Sequence, residues 1–399
     1  MRFIELQIPN SQANALAADA LLNRRCRRTE AFPSAWRPAV NRLARLAPAF
    51  EDLADSFPAL LFALATGYGD DAGRRDTMAA VANGLPLKEA AQRLGLPFWL
   101  RKLPAGAFNA PLVSPPSDPA LVSRLISLIP QTPAAAAAWL DRVLVAHHVA
   151  QAIGRTDLAL WVAQQYRGPQ PSARSTAFLG VLAWAWFAAD KSGRRGGQLL
   201  TERWTPTLGA RRAAAEARLW QERIALDVCL GGGLADTWLA NGEAGGLSFV
   251  ALRTTDDFIA EARAMDNCLD RYADRLEGRA ARVFSVRRDG RSIADLEIAA
   301  HEREPGHPMI AQLRGPHNRR AALDVWQAAY AWIGAQPLRL ADKRVILKTK
   351  PSMRSRRLLE IWSPFLAALP AHAHEALVAS LSGKKPPAKV ARTRTIPVS

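Results

Sequence analysis

Residues 282–299 read RVFSVRRDGRSIADLEIA, two alternating runs on either side of Asp289-Gly290. Successive side chains of a strand point to opposite faces, so a two-residue period sorts this stretch into an apolar and a polar side. Phe284 and Val286 share one side of the first run; Ala294, Leu296 and Ile298 share one side of the second. A third run, Met309 to Arg314, adds Ala311 and Leu313 to the apolar set. The polar side collects Ser285, Arg287, Asp295, Glu297, Gln312 and Arg314. The turn decides whether the two runs agree. A strict two-residue loop puts Arg287 opposite Ser292 and mixes the faces, because a slip of one residue inverts every side chain. A three-residue loop, Asp289-Gly290-Arg291, or a bulge nearby, puts Ser285 opposite Asp295 and keeps the faces pure. The sequence therefore predicts the longer turn or a bulge.

Working outward, Leu247 to Leu252 is apolar and extended. Thr254 or Thr255 can cap a helix that Asp256 and Asp257 favour, with Phe258, Ala262, Met265, Leu269, Tyr272 and Leu276 along one stripe and Gly278 as its stop. A further amphipathic helix from about Arg320 to Ala335 carries Val325, Trp326, Ala329 and Ile333. These elements define an α+β domain at 246–338, a three-stranded antiparallel sheet packed on helices. The region 1–245 reads as mostly α-helical. Pro-rich joints such as Gly168-Pro169-Gln170-Pro171 break it, and residues 3–8 are a short strand or extended arm. Its tryptophans fit a helical core better than stacking platforms for single strands. Lys88 to Leu96 resembles the first half of a helix-turn-helix, but the would-be second half, Pro97 to Leu103, is apolar, short and begins with proline, so ordinary packing is expected. The apolar run Thr176 to Ala189 is shorter than the ~20 residues of a spanning helix and reads as a core helix. Gly231 to Gly246 reads as turns near a boundary, without the spacing of a phosphate-binding loop or a dinucleotide fold.

The charge is unusual. Across 399 residues, 53 Lys and Arg oppose 36 Asp and Glu, a net +17. Between Arg339 and Ser399, 13 basic residues face three acids, so +10 sits in the last 61 positions. A basic helical segment is expected at 339–382 and a disordered basic tail at 383–399. Such a surplus suits nucleic acid or another acidic partner. The candidate contacts are Lys343, Arg344, Lys348, Lys350, Arg354, Arg356, Arg357, Lys384 and Lys385. Three scattered cysteines, Cys26, Cys229 and Cys268, cannot form a disulfide framework. The N-terminal run holds a charge where a secretory signal would be apolar. A cytoplasmic setting without membrane, cofactor or metal follows.

Met265-Asp266-Asn267-Cys268-Leu269-Asp270-Arg271-Tyr272 resembles the M-x-x-C-x-x-x-Y element of the PcfJ-like proteins. Phe284 to Arg287, Ala294 to Glu297, and Gln312 to Asn318 resemble the remaining elements, in order, over about 250–335. The resemblance implies a bacterial PcfJ-like domain linked to conjugative mobile elements, and supplies no reaction. This chain has Asn267 where many such proteins have His before the cysteine.

Two readings of the chemistry stand side by side. Cys268 and Tyr272 lie four apart and stack on one helical face, which makes Cys268 a small buried hydrophobe. Alternatively, Cys268 is a thiolate nucleophile activated by Arg287 or Arg314, with Glu297 or a histidine moving protons. Tyr272, Ser285, Asp295, Gln312, Arg314, Gly315 and Asn318 form the candidate ligand-binding set, with Gly315-Pro316 turning Asn318 back across the strand end. For the whole chain, three functions remain: a nucleic-acid- or nucleoprotein-associated accessory factor, a cysteine-dependent enzyme, or a structural module with protein partners on the helical region.

Overall fold

The computed structural model describes residues 27–234, 236–278, 281–301, 307–336 and 351–382. The fold is α+β: a largely helical region over residues 27–230, then a region with a five-stranded antiparallel sheet and helices. The expected arm at 3–8, Cys26 and the tail at 383–399 lie outside the described residues. The chain divides into two compact units. Among the described residues, one runs to Leu182 and includes Ala368–Leu377; the other comprises Ala183–Ala367 and Val378 to Ser382. No helix among the described residues is long and apolar enough to cross a membrane.

The first unit packs short helices around Phe57, Phe62, Phe108, Trp139, Trp161 and Phe178, all buried. Trp99, Trp139 and Trp161 are core residues, as expected; Trp36 is half-buried. The short helix Leu87–Arg93 is followed only by a 3₁₀ turn, Phe98–Lys102, so no recognition helix forms. Helix Pro133–Ile153 carries a charge at its centre. Arg142 is fully buried and donates to the carbonyls of Tyr166 (2.6 Å), Pro171 (2.5 Å) and Gly168. Backbone dipoles of the Pro-rich joint thus take the place of a carboxylate, and burial pushes the Arg142 pKa down.

The second unit is built on the sheet, ordered β1 (Gly242–Ala244), β2 (Leu247–Ala251), β3 (Arg282–Arg288), β4 (Arg291–Ala300) and β5 (Pro308–Arg314). The three predicted strands are its β3–β5. Leu247 to Ala251 supplies a fourth, and a Gly245-Gly246 turn with both residues at positive φ returns it to β1. At the β3–β4 turn the structure takes the bulge. Arg288 pairs with Arg291 across a tight loop, with Asp289 and Gly290 at φ 49 and 77. Ile293 is then the extra residue on β4, and Ser285 falls opposite Asp295 as expected.

The apolar face carries Phe249, Phe284, Val286, Ala294, Leu296, Ile298 and Leu313. Helix Leu323–Gly334 covers it with Val325, Ala328, Ala329 and Trp332. Trp332 stacks on Phe249 (4.6 Å between ring centroids, 5° between planes) and meets Phe284 edge-on at 4.9 Å. One strand assignment is corrected. The β4–β5 register shifts at Ala311, which is exposed, and Ile310 takes its place opposite Ile298.

The long helix expected from Thr255 to Leu276 is also corrected. The Thr254–Asp257 capping box starts it as predicted, but it ends at Met265, where Asp266 turns left-handed at φ 48. A 3₁₀ turn, Leu269–Arg271, and a short helix, Ala273–Gly278, follow. Phe258, Ala262, Leu269, Tyr272 and Leu276 nevertheless share one cluster with Val283, which is why the stripe looked continuous. These elements cover the polar face of the sheet. Helix Ala210–Leu230 lies against them, and helix Pro351–Leu366 packs on it through Trp220 and Trp362 (5.4 Å).

Truncating Trp332→Ala should cost about 3–5 kcal/mol in urea unfolding. Tyr330→Ala, one helix position away from the core stripe and 63% exposed, should stay within about 0.5 kcal/mol.

Candidate functional site

The end of the Thr255–Met265 helix builds the site. After Asp266, the Asn267 side chain turns onto the sheet. Its Nδ2 donates to Asp295 Oδ2 at 2.5 Å, while its Oδ1 accepts from the Leu269 N–H at 3.1 Å. The next turn is anchored from below. Arg223 of the Ala210 helix donates through Nε and Nη2 to Asp270 Oδ2, at 2.7 and 2.6 Å, with both side chains almost wholly buried. That pair fixes the backbone on either side of Cys268. Breaking a buried pair of this kind typically costs about 3–5 kcal/mol.

The Ala273 helix completes the wall. Tyr272 OH donates to Glu297 Oε2 at 3.0 Å. Arg275 Nη1 reaches Glu297 Oε2 at 2.7 Å, Tyr272 OH at 2.7 Å and Gln312 Oε1 at 3.1 Å, and its guanidinium lies 5.2 Å from the Tyr272 ring centroid. Burial and then the Glu297 charge push the Tyr272 hydroxyl up to about 12, so it remains a donor.

Among the candidate catalytic residues, Cys268 and Glu297 line one cavity. Tyr272, Asp295, Gln312, Arg314 and Asn318 of the binding set line it too. Its volume of about 20 Å³ holds roughly one water. Cys268 is exposed, not the buried hydrophobe that a continuous helix would have made it. Helical stacking of Cys268 on Tyr272 is likewise overturned, because the helix ends before either residue.

The structure does not bring Arg287 to this cavity. Arg287 Nε donates to Ser285 Oγ at 3.0 Å; Ser285 meets Ser292 at 3.1 Å, and Ser292 donates to Glu261 Oε2 at 3.0 Å. Glu261 lies 3.9 Å from Arg287 as well. Glu261 stands one helical turn before the helix end and Cys268 stands beyond it, so one helix keeps the two groups apart. Gly315 is structural: its N–H closes a turn onto the Arg319 carbonyl at 2.9 Å. That turn holds His317 and Asn318 at positive φ, 55 and 59. His317 Nδ1 pairs with Asp266 Oδ2 at 2.8 Å and clasps together the two loops that supply Asn267 and Asn318. Among the described residues no cluster of His, Cys, Asp and Glu is placed to hold a metal ion.

Asp295 joins the two halves of the face. One oxygen accepts from Asn267; the other, like Glu261 Oε1, has no donor from another group. Both carboxylates are buried. Burial first, and then the Glu261 charge, push Asp295 up to about 8. The cavity is lined by both Asp295 and Glu297, together with two asparagines, Gln312, the Cys268 thiol and Arg314. This arrangement can orient one water or one small polar group between an acid and a base.

No family model, curated protein or solved structure matches this chain.

Among the candidate nucleic-acid contacts, Lys343, Arg344, Lys348, Lys350, Lys384 and Lys385 lie outside the described residues. Arg354, Arg356 and Arg357 fall on helix Pro351–Leu366. Arg356 is 83% exposed and reaches Glu360 at 3.1 Å. Arg357 lies against Gly231, the left-handed end of the Ala210 helix, where a cation meets the carbonyl end of the dipole.

Sequence reading missed Glu261 and Arg275. Both signals were present: Glu261 falls within the Phe258, Ala262, Met265 stripe, and Arg275 lies three after Tyr272 and beside Leu276. A charge on a buried stripe needs a partner.

The upward shift of Asp295 is testable. Asp295 is raised in the fold, so the native protein keeps a proton that the unfolded chain releases above pH ~4. The associated stability is full below that pH and is lost as pH rises towards 8. Asp295→Asn keeps an acceptor for Asn267 and a donor for Glu261 without titrating. Between about pH 5 and 8 the wild type should lose stability relative to this variant, with a slope approaching ~1.4 kcal/mol per pH unit. Urea unfolding across that range reads it; a pH-independent difference would exclude the raised Asp295.

Proposed function

We propose that the protein is a nucleic-acid- or nucleoprotein-associated accessory factor, of the mobile-element-linked kind that its PcfJ-like resemblance implies. The observation that carries this reading is the charge: +17 overall, with +10 in residues 339–399. Phosphate neutralisation releases counterions, and a surplus on that scale favours it. Helix Pro351–Leu366 adds support. It is anchored by Trp362 and Phe365, both buried, and carries Arg356 on an exposed side. The α+β unit then acts as the rigid body beside the basic segment.

Deleting 339–399 would remove a helix packed on the Ala210 helix, so neutralisation is the cleaner test. Lys343, Arg344, Lys348, Lys350, Lys384 and Lys385 are replaced by Gln. Binding to single-stranded DNA, duplex DNA and RNA is then titrated between about 50 and 200 mM salt. Affinity should fall alike for different sequences, and the log–log salt slope should shrink by ~0.9 for each duplex phosphate that is no longer neutralised. A flat salt response in the parent protein overturns the reading.

One observation favours a cysteine-dependent enzyme as the second reading: exposed Cys268 opens on a cavity also lined by Glu297, Gln312, Arg314 and Asn318. An activated thiol should react with iodoacetamide faster in the folded protein than in urea, while buried Cys229 stays protected. An equal or slower rate for folded Cys268 removes this reading.

A further inference from the structure

The outer edge of the sheet carries an arrangement that neither reading uses. β5 is the last strand in the order. On its free side the described residues provide a single bridge, Arg314 to Arg320. Pro308 to Leu313 therefore present backbone groups that have no ladder on that side among the described residues. Beside this edge lies an open groove of about 560 Å³, with Leu313, Ala321, Leu323 and Trp326 among its walls and Arg314 and Arg320 on its rim.

The helix along the groove has two stripes. Val325, Ala328, Ala329 and Trp332 face the sheet core. Leu323, Trp326 and Tyr330 recur at three and four residues on another side. Leu323 is 73% exposed and Tyr330 63%, and the Trp326 and Tyr330 rings lie 5.9 Å apart. Large apolar side chains this exposed beside an unpaired strand edge are costly to leave in water and invite pairing.

The charge around the groove selects the occupant. Arg314, Arg319 and Arg320 are exposed and make no ion pair among the described residues. The acid nearest in sequence to Leu323, Asp324, is already held by Arg288 at 2.6 Å. Two copies of this edge would bring like charges together, which disfavours self-pairing. A nucleic-acid strand could meet the arginines but could not complete a backbone ladder, and one well-exposed ring is a poor stacking platform. An extended acidic polypeptide meets all three features.

We propose that the β5 edge is a docking site for an extended, acidic segment of a partner protein. The segment adds as a sixth strand, with apolar side chains against Leu323 and Trp326 and carboxylates on Arg314, Arg319 and Arg320. The bulge at Ala311 interrupts the edge and limits the added strand to a short one.

The test uses the full chain and a fluorescent eight-residue peptide of alternating Val and Glu, read by anisotropy. Controls are the Val/Lys peptide, a Val/Glu peptide with a central Pro, and an oligo-dT. The Val/Glu peptide should bind, and the Lys and Pro versions should bind at least tenfold more weakly. Arg314→Glu with Arg320→Glu should weaken it at least tenfold, and Leu323→Asp should do so without lowering the melting temperature. Bound peptide should also slow amide exchange in 308–314. Equal binding of the Lys or Pro peptide, no binding of the Val/Glu peptide up to ~1 mM, or unchanged exchange overturns the proposal. Oligo-dT binding that the Arg314→Glu and Arg320→Glu pair abolishes, with no peptide binding, would assign the edge to nucleic acid instead. Oligo-dT binding that survives this pair leaves the basic-segment reading intact, so the two ideas fail separately.

Discussion

A sheet covered on both faces must bury its polar side as well as its apolar one. Most of this protein's second unit follows from that constraint. Ser285, Asp295 and Glu297 are all buried, and a buried carboxylate without partners would cost several kcal/mol. Each carboxylate is therefore answered by specific side chains from the covering segment: Glu261 and Asn267 for Asp295, Tyr272 and Arg275 for Glu297. The helix cannot slide along the sheet without breaking these pairings. An apolar interface of the same area would tolerate such sliding more readily.

The strand faces were legible because the period of a strand is fixed at two and the Asp289-Gly290 turn limits the registers. Asking which register keeps both faces pure gave the Ser285–Asp295 pairing, and the bulge at Ile293 delivers it. The bulge at Ala311 had no such signal. Met309-Ile310-Ala311-Gln312-Leu313 alternates well enough in either register, and only the pairing with β4 decides between them. The break after Met265 was harder still. Asp and Asn tolerate left-handed backbone, so Asp266-Asn267 hinted at a stop. The apolar stripe nevertheless continued across them, because the 3₁₀ turn returns Leu269 and Tyr272 to the same cluster. The site was thus legible as a set of residues but not as a geometry. Cys268, Glu297 and Asn318 meet at one cavity, while Arg287 belongs to a separate cluster under Glu261.

The net charge also reads differently once the fold is known. Arg142 and Arg282 are buried and held by carbonyl oxygens, with Arg282 over the Trp238 ring at 4.3 Å. Arg223 and Arg275 neutralise Asp270 and Glu297 from within. Several arginines therefore serve as internal clamps. The surplus available to a partner is less evenly spread than composition suggests.

β2 and β3 are neighbours in the sheet, yet the whole covering segment lies between them in sequence, with Ala251 paired to Phe284 at its two ends. The excursion is a closed loop whose ends are fixed by the ladder. The entropy of closing such a loop grows only logarithmically, by about 0.6 kcal/mol for each doubling of its length. Added length in the loops of this segment is therefore cheap for the scaffold, so long as the buried pairings of Asn267, Asp270, Tyr272 and Arg275 are kept.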